Sequence, residues 1–248
     1  MDVSISVLVS TALVFLLAGF VKGVIGLGLP TVSMGLLVLM MTPARAAALL
    51  VVPSLVTNIW QMVAGPSLWP LLRRLWPMMI GIGLGTWLGA RALSINDADA
   101  ATMGLGIALI LYALTGLSSV GFHVSARAER WLAPLVGAIT GAITAWTGVF
   151  VIPAVPYLQA IGLEKEDLVQ ALGLSFTVST LALAGSLAWS GAFAISIAAG
   201  SLFAVAPALI GMGIGQALRR RARPAVFRQW FFIGLLLLGA YLAWRGMR

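Results

Sequence analysis

Residues 19–30 read Gly19-Phe20-Val21-Lys22-Gly23-Val24-Ile25-Gly26-Leu27-Gly28-Leu29-Pro30, and Lys22 is the only charged residue between Asp2 and Arg45. A lysine in hydrocarbon costs ~2.5–3.5 kcal/mol on insertion scales, so it faces a protein interior or a wet cavity, or else snorkels to the interface. Glycine and proline interrupt the helix, and the backbone groups they free must be satisfied away from lipid. Two readings follow. The stretch is either a buried polar site that favours an anion, or a tight helix turn with Lys22 at its edge.

The rest of the chain fixes the solvent. Of 248 residues, 61% are hydrophobic and 9% charged. Segments 46–72, 100–126, 131–163 and 168–218 contain no Asp, Glu, Lys or Arg. Each exceeds the roughly 20 residues needed to cross a bilayer. The expected fold is an all-α polytopic membrane protein, a single transmembrane domain over 1–248. Apolar segments fall at about 3–21, 24–41, 46–64, 75–92, 100–121, 131–150, 152–162, 168–189, 193–218 and 229–246. Eight are long enough to span. Those beginning near Gly23 and Val151 are short or broken, each readable as a half-helix, a re-entrant piece or a tilted span.

The net charge of +8 is no nucleic-acid signal, because the cations lie mostly in short loops. With ten crossings and an outer N-terminus, Lys22, Arg73, Arg74, Arg127, Arg130, Lys165, Arg219, Arg220, Arg221, Arg223 and Arg228 are cytoplasmic. Arg45, Arg91, Arg245 and Arg248 are outside. This inside bias favours that topology in a cell inner membrane. The cluster Arg219-Arg220-Arg221-Ala222-Arg223 reads as topology and lipid-headgroup contact. The start Met1-Asp2-Val3-Ser4 lacks a basic n-region, so the first segment is expected to stay as a transmembrane helix.

The halves 1–122 and 131–248 resemble each other weakly. Gly19, Gly23 and Pro30 have echoes in Gly137, Gly141 and Pro153; Leu49 to Asn58 can be laid on Ala171 to Thr180; Gly85 and Gly89 match Gly211 and Gly215. Five segments per half make the repeats inverted, as in many secondary transporters. Four per half would make them parallel.

Three groups of residues are site candidates. In the first break, Gly23, Gly26 and Gly28 allow close backbone approach, while Pro30 and Thr31 open a helix whose N-terminal N–H groups favour an anion. In the second half, Thr140, Thr144 and Thr147 share one helical face ahead of Gly148. They line a polar path or bond back to their own carbonyls. Trp146 in the same segment reads as packing or as part of the site. The third group is Asn58 and Gln61, one turn apart, with Gln170, Ser175 and Ser179 in the second half. Buried amides and hydroxyls there serve a substrate or join helices.

All seven acids, from Asp2 to Asp167, lie at expected ends or loops, so no embedded carboxylate awaits a cation. Without cysteine, and with His123 as the one histidine, metal, thiolate and Ser–His chemistry lose their ligands. No catalytic residue, cofactor, metal site or nucleic-acid partner is expected, and an enzyme reading is set aside.

The motif from Gly19 to Pro30, the start Arg45-Ala46-Ala47-Ala48, and Asn58 a helix-length later resemble the sulfite exporter TauE/SafE family of membrane permeases. In the second half, Ile143-Thr144-Ala145-Trp146-Thr147-Gly148 stands where members often carry a double glycine. The resemblance implies export or exchange of sulfite, organosulfonates or related organic anions. By motif match it carries over to Lys22, Gly23, Gly26, Gly28, Pro30 and Asn58. The leading expectation is a secondary transporter moving such an anion by alternating access, surrounded by membrane lipid. A passive anion channel and a non-transporting scaffold are the alternatives, and a homo-oligomer is left open.

Overall fold

The computed structural model describes residues 5–93, 95–118, 123–192, 200–219 and 224–248. Arg220, Arg221 and Arg223 of the basic cluster, and much of the start of the 193–218 segment, lie outside the described residues. The described chain is helical and carries no strand. Its helices are α1 (Ile5–Ile25), α2 (Leu29–Leu37), α3 (Pro43–Val63), α4 (Leu68–Ala92), α5 (Ala98–Leu117), α6 (Ala126–Thr147), α7 (Ala154–Ala160), α8 (Lys165–Trp189), α9 (Val205–Arg219) and α10 (Pro224–Arg245).

Six of these pass as membrane spans by length and apolarity: α1, α3, α5, α8, α10 and the stretch Gly200–Arg219 that ends in α9. The long helices outside that set are α4 and α6, of 25 and 22 residues. Glycine, tryptophan, proline and threonine dilute their apolarity. The two segments expected to be short are short: α2 has 9 residues and α7 has 7. At 1.5 Å per residue neither covers half of a ~30 Å hydrocarbon core.

Glycine dictates the closest packing. α1 lies against α9, and α4 against α6. A Cβ on Gly19 would stand 2.1 Å from the Ala208 carbonyl oxygen, and one on Gly23 would stand 2.3 Å from that of Met212. In return, Gly211 faces the Leu16 oxygen at 2.0 Å and Gly215 that of Phe20 at 2.2 Å. The other crossing repeats this arrangement. Gly137 and Gly141 face the Met78 and Ile82 oxygens, each at 2.2 Å, while Gly81 and Gly85 face Pro134 and Ala138 at 2.3 and 2.0 Å. Small residues at four-residue spacing let helix backbones touch without lipid between them. The match made from sequence shifts by one turn. Gly81 and Gly85, rather than Gly85 and Gly89, occupy the places of Gly211 and Gly215.

α5 packs on α10 and α3 on α8. Pro53 inside α3 leaves the Leu49 carbonyl without its usual i+4 donor. The Ser201 hydroxyl donates to that carbonyl at 2.8 Å and accepts from the Val52 N–H at 3.1 Å. Exposed arginine–tryptophan stacks mark the ends of α4. Arg73 stacks on Trp69 at 5.2 Å, and Arg91 on Trp87 at 4.2 Å. At its N-terminal end, Arg74 makes a two-pronged ion pair with Glu129 of α6 at 2.7 and 2.8 Å, and its Nη2 donates to the Ile161 carbonyl after α7.

Candidate functional site

α1 continues past Lys22 because Gly26 N–H closes its last turn on the Lys22 carbonyl at 2.7 Å. The side chain of Lys22 turns inward and is 4% exposed. Its Nζ donates to Thr57 Oγ1 at 3.2 Å and to Asn58 Oδ1. Thr57 also donates to the Pro53 carbonyl at 2.8 Å. Asn58 Nδ2 donates to Ser54 Oγ at 3.1 Å and to Thr180 Oγ1 at 3.3 Å, so the lysine network reaches the second half. These partners are neutral. Among the described residues the ion pair is Arg74–Glu129, and no carboxylate pairs with Lys22. Held by dipoles alone, the buried Lys22 can carry its charge only at high cost, a demand that an anion beside it would meet.

That demand faces a cavity of about 320 Å³ whose wall includes Lys22, Gly23, Gly26, Gln61 and Gln170. Gly26 has φ 85° and no atom within 4 Å of where its Cβ would be, so the backbone is open to the space. Gln61 Nε2 ties the Gly26 carbonyl to that of Val169 at 3.3 and 2.9 Å, fixing the end of α1 to α8. Gln170 closes the end of α3: its Nε2 donates to Met62 and Gly65 carbonyls and its Oε1 accepts from Ser67 N–H.

The wall also holds residues that sequence reading passed over: Lys165 and Glu166 from the first turn of α8, and Gln216 and Arg219 from the last turn of α9. In the sequence Lys165 reads as a loop cation and Arg219 as part of the topology-setting basic cluster. The signal available for Gln216 was an amide inside an otherwise apolar run. The helix N-terminus reaching this wall is that of α8. That of α2, where Gly28, Pro30 and Thr31 lie, is not part of it. Gly28 instead takes φ 111° as the N-cap of α2, with Pro30 in the first turn. Thr31 Oγ1 bonds the Gly28 carbonyl at 2.9 Å.

Of the second-half candidates, Gln170 lies in the wall, whereas Thr144, Thr147, Gly148 and Ser175 sit away from the cavity. Thr144 and Thr147 donate to the Thr140 and Ile143 carbonyls at 2.7 and 2.8 Å, the self-bonded alternative. Gly148 ends α6 at φ 72° and faces Met34 of α2, so the second break touches the first half there. Trp146 packs on Gly104 of α5. Ser175 is buried with no hydrogen-bond partner.

Long apolar helices, close glycine crossings and a cation-lined cavity ending on a buried lysine define a multi-pass membrane protein. The family model described as Sulfite exporter TauE/SafE matches residues 11–242, and the chain belongs to that family. The family comprises membrane permeases for sulfite and related anions, transporters rather than enzymes. No curated protein and no solved structure gives a match.

Proposed function

We propose that this chain is a secondary transporter that exports sulfite, an organosulfonate or a related small organic anion across the cytoplasmic membrane by alternating access. The observation that carries the reading is the cavity itself. Its charged wall residues are Lys22, Lys165 and Arg219 against Glu166, and the innermost is a lysine without an acidic partner. An anion entering there gives up part of its hydration shell for the Lys22 ammonium and the positive end of α8.

Eight full spans and inverted halves belong to the same proposal. On α4, Arg73 and Arg91 lie eighteen residues apart with a stacked tryptophan each, about 27 Å along a helix, which suits a hydrocarbon core. The cavity joins the C-terminal ends of α1, α3 and α9 to the N-terminal end of α8. α4 starts a few residues after α3 ends, and Arg74 holds Glu129 in the first turn of α6. The start of α6 therefore shares a face with the end of α1, which supports opposite directions for the two halves. That face carries most of the cations, and the inside bias makes it cytoplasmic.

Purified protein in liposomes tests the proposal by uptake of labelled sulfite, sulfoacetate, taurine and acetate, with and without a pH gradient. Saturable flux with counterflow is expected, lost in Lys22→Ala and kept in Arg130→Ala. Flux that never saturates would indicate a channel, and absence of flux for every anion a scaffold.

A further inference from the structure

We propose that the second half holds its own uncharged binding position for a small sulfur oxyanion, lined by the hydroxyls of Thr140, Ser175 and Ser179. The inference rests on the transport reading above and adds a second station to it.

The glycine crossings fix the correspondence. Gly19 and Gly23 on α1 face Ala208 and Met212 as Gly137 and Gly141 on α6 face Met78 and Ile82. Lys22 and Thr140 each follow the first glycine of their pair by three residues, so Thr140 stands where Lys22 would be. α3 and α8 begin at Pro43 and Lys165, and Thr57 and Ser179 lie equally far into them. In the first half the long Lys22 side chain bridges to Thr57. In the second half a threonine stands in place of that lysine and makes no hydrogen bond to Ser179. Both hydroxyls are fully buried and neither has a partner. Ser175, one turn before Ser179 on the same face of α8, is also fully buried and unpartnered.

These three groups differ from their neighbours. Thr144, Thr177 and Thr180 each donate to a carbonyl four residues back. That outlet is the ordinary one for a helical hydroxyl. Buried polar groups left unmade are costly and call for an explanation. Three donors on two helices that pack together suit a compact anion with several acceptor oxygens. Ser179 adjoins Thr180, which accepts from Asn58, the residue that holds Lys22. On this proposal an anion leaving the lysine passes to hydroxyl donors and meets no second charge to retain it. Release is eased where capture was strong.

Liposomes containing Thr140→Val, Ser179→Ala and the double variant test this with labelled sulfite. Expected is a fall of about tenfold in maximal rate for the double variant, with half-saturation from the Lys22 side moved less than about twofold, as for lost hydrogen bonds at one station. Thr140→Ser, which keeps the hydroxyl, restores the rate. A wild-type rate in the folded double variant overturns the proposal, and so does a water-only role, which leaves flux unchanged. A rate loss that Thr140→Ser fails to restore, or that tracks a lowered melting temperature, assigns these residues to packing and overturns it too. Lys22→Met in the same series separates the two ideas. If it abolishes flux while Thr140→Val does not, only the second station fails; if it changes nothing, the Lys22 reading fails.

Discussion

The α1–α9 and α4–α6 crossings share one backbone design and differ in chemistry. In both, a pair of glycines on one helix meets carbonyls on the other at distances that exclude any Cβ. Yet α1 places a lysine on its inner face, and α6 places Thr140 at the equivalent position. Packing is therefore duplicated while charge is not. A symmetric scaffold can carry an asymmetric electrostatic profile, with one strongly attractive end and one neutral end. Under the proposed export that asymmetry would be useful, because a matching lysine in the second half would hold the anion there.

The comparison is most exposed at Lys22. Lys22→Met is expected to lower sulfite flux about 100-fold, the range for removing one side of a buried charged contact. Loss of about tenfold or less, measured as initial rate in liposomes, would mean that Lys165 and Arg219 supply most of the attraction. Next come the crossings. Gly211→Ala and Gly85→Ala, each with a Cβ 2.0 Å from a carbonyl oxygen, should cost about 1–3 kcal/mol of stability by overpacking. Gly213→Ala and Gly83→Ala, on the same helices but with nothing within 4 Å, should be neutral or more stable by up to ~1 kcal/mol. Thermal melts in detergent compare the four, and equal behaviour of the two pairs would remove the crossings as determinants.

A comparable effect is expected from Arg74→Gln. It leaves Glu129, 8% exposed, without its pair, at about 1–3 kcal/mol. Glu129→Gln in the same background should recover part of that loss in the melt. The mildest change is Gln170→Ala, which removes the ties to Met62, Gly65 and Ser67. It is expected to lower the melting point by a few degrees, about 1 kcal/mol, and to raise the half-saturation constant more than it lowers the maximal rate.

Apolar runs and breaks made most helix positions readable in advance, since long uncharged segments in a bilayer have few alternatives to helix. The short α2 and α7 were also foreseen, because Gly26, Gly28, Pro30, Gly148 and Pro153 punctuate the chain. The glycine register was not. α4 carries Gly81, Gly85 and Gly89 at one spacing, all three pack on α6 against Pro134, Ala138 and Ala142, and only the three-dimensional register shows which two match Gly211 and Gly215. The cavity was half readable. Lys22, Gln61 and Gln170 stand out as polar residues in apolar runs. Lys165 and Arg219 look like any interfacial cations until the ends of α8 and α9 are brought beside α1. The threonine face of α6 was ambiguous for a local reason: each hydroxyl can satisfy itself on its own helix, and Thr144 and Thr147 do so while Thr140 does not.

The exchanged pairing of helices also bears on how the protein is made. Gly19 and Gly23 find their carbonyl partners on a helix that is translated almost last. Until Ala208 and Met212 emerge, the glycine face of α1 has no permanent neighbour. The first half cannot finish assembling as it leaves the ribosome, and a chain cut after α5 should be a target for membrane proteases, not a stable half-transporter. The expected order is therefore late closure, with the penultimate helix packing over the first, and pulse-chase of a chain cut after α5 would check it.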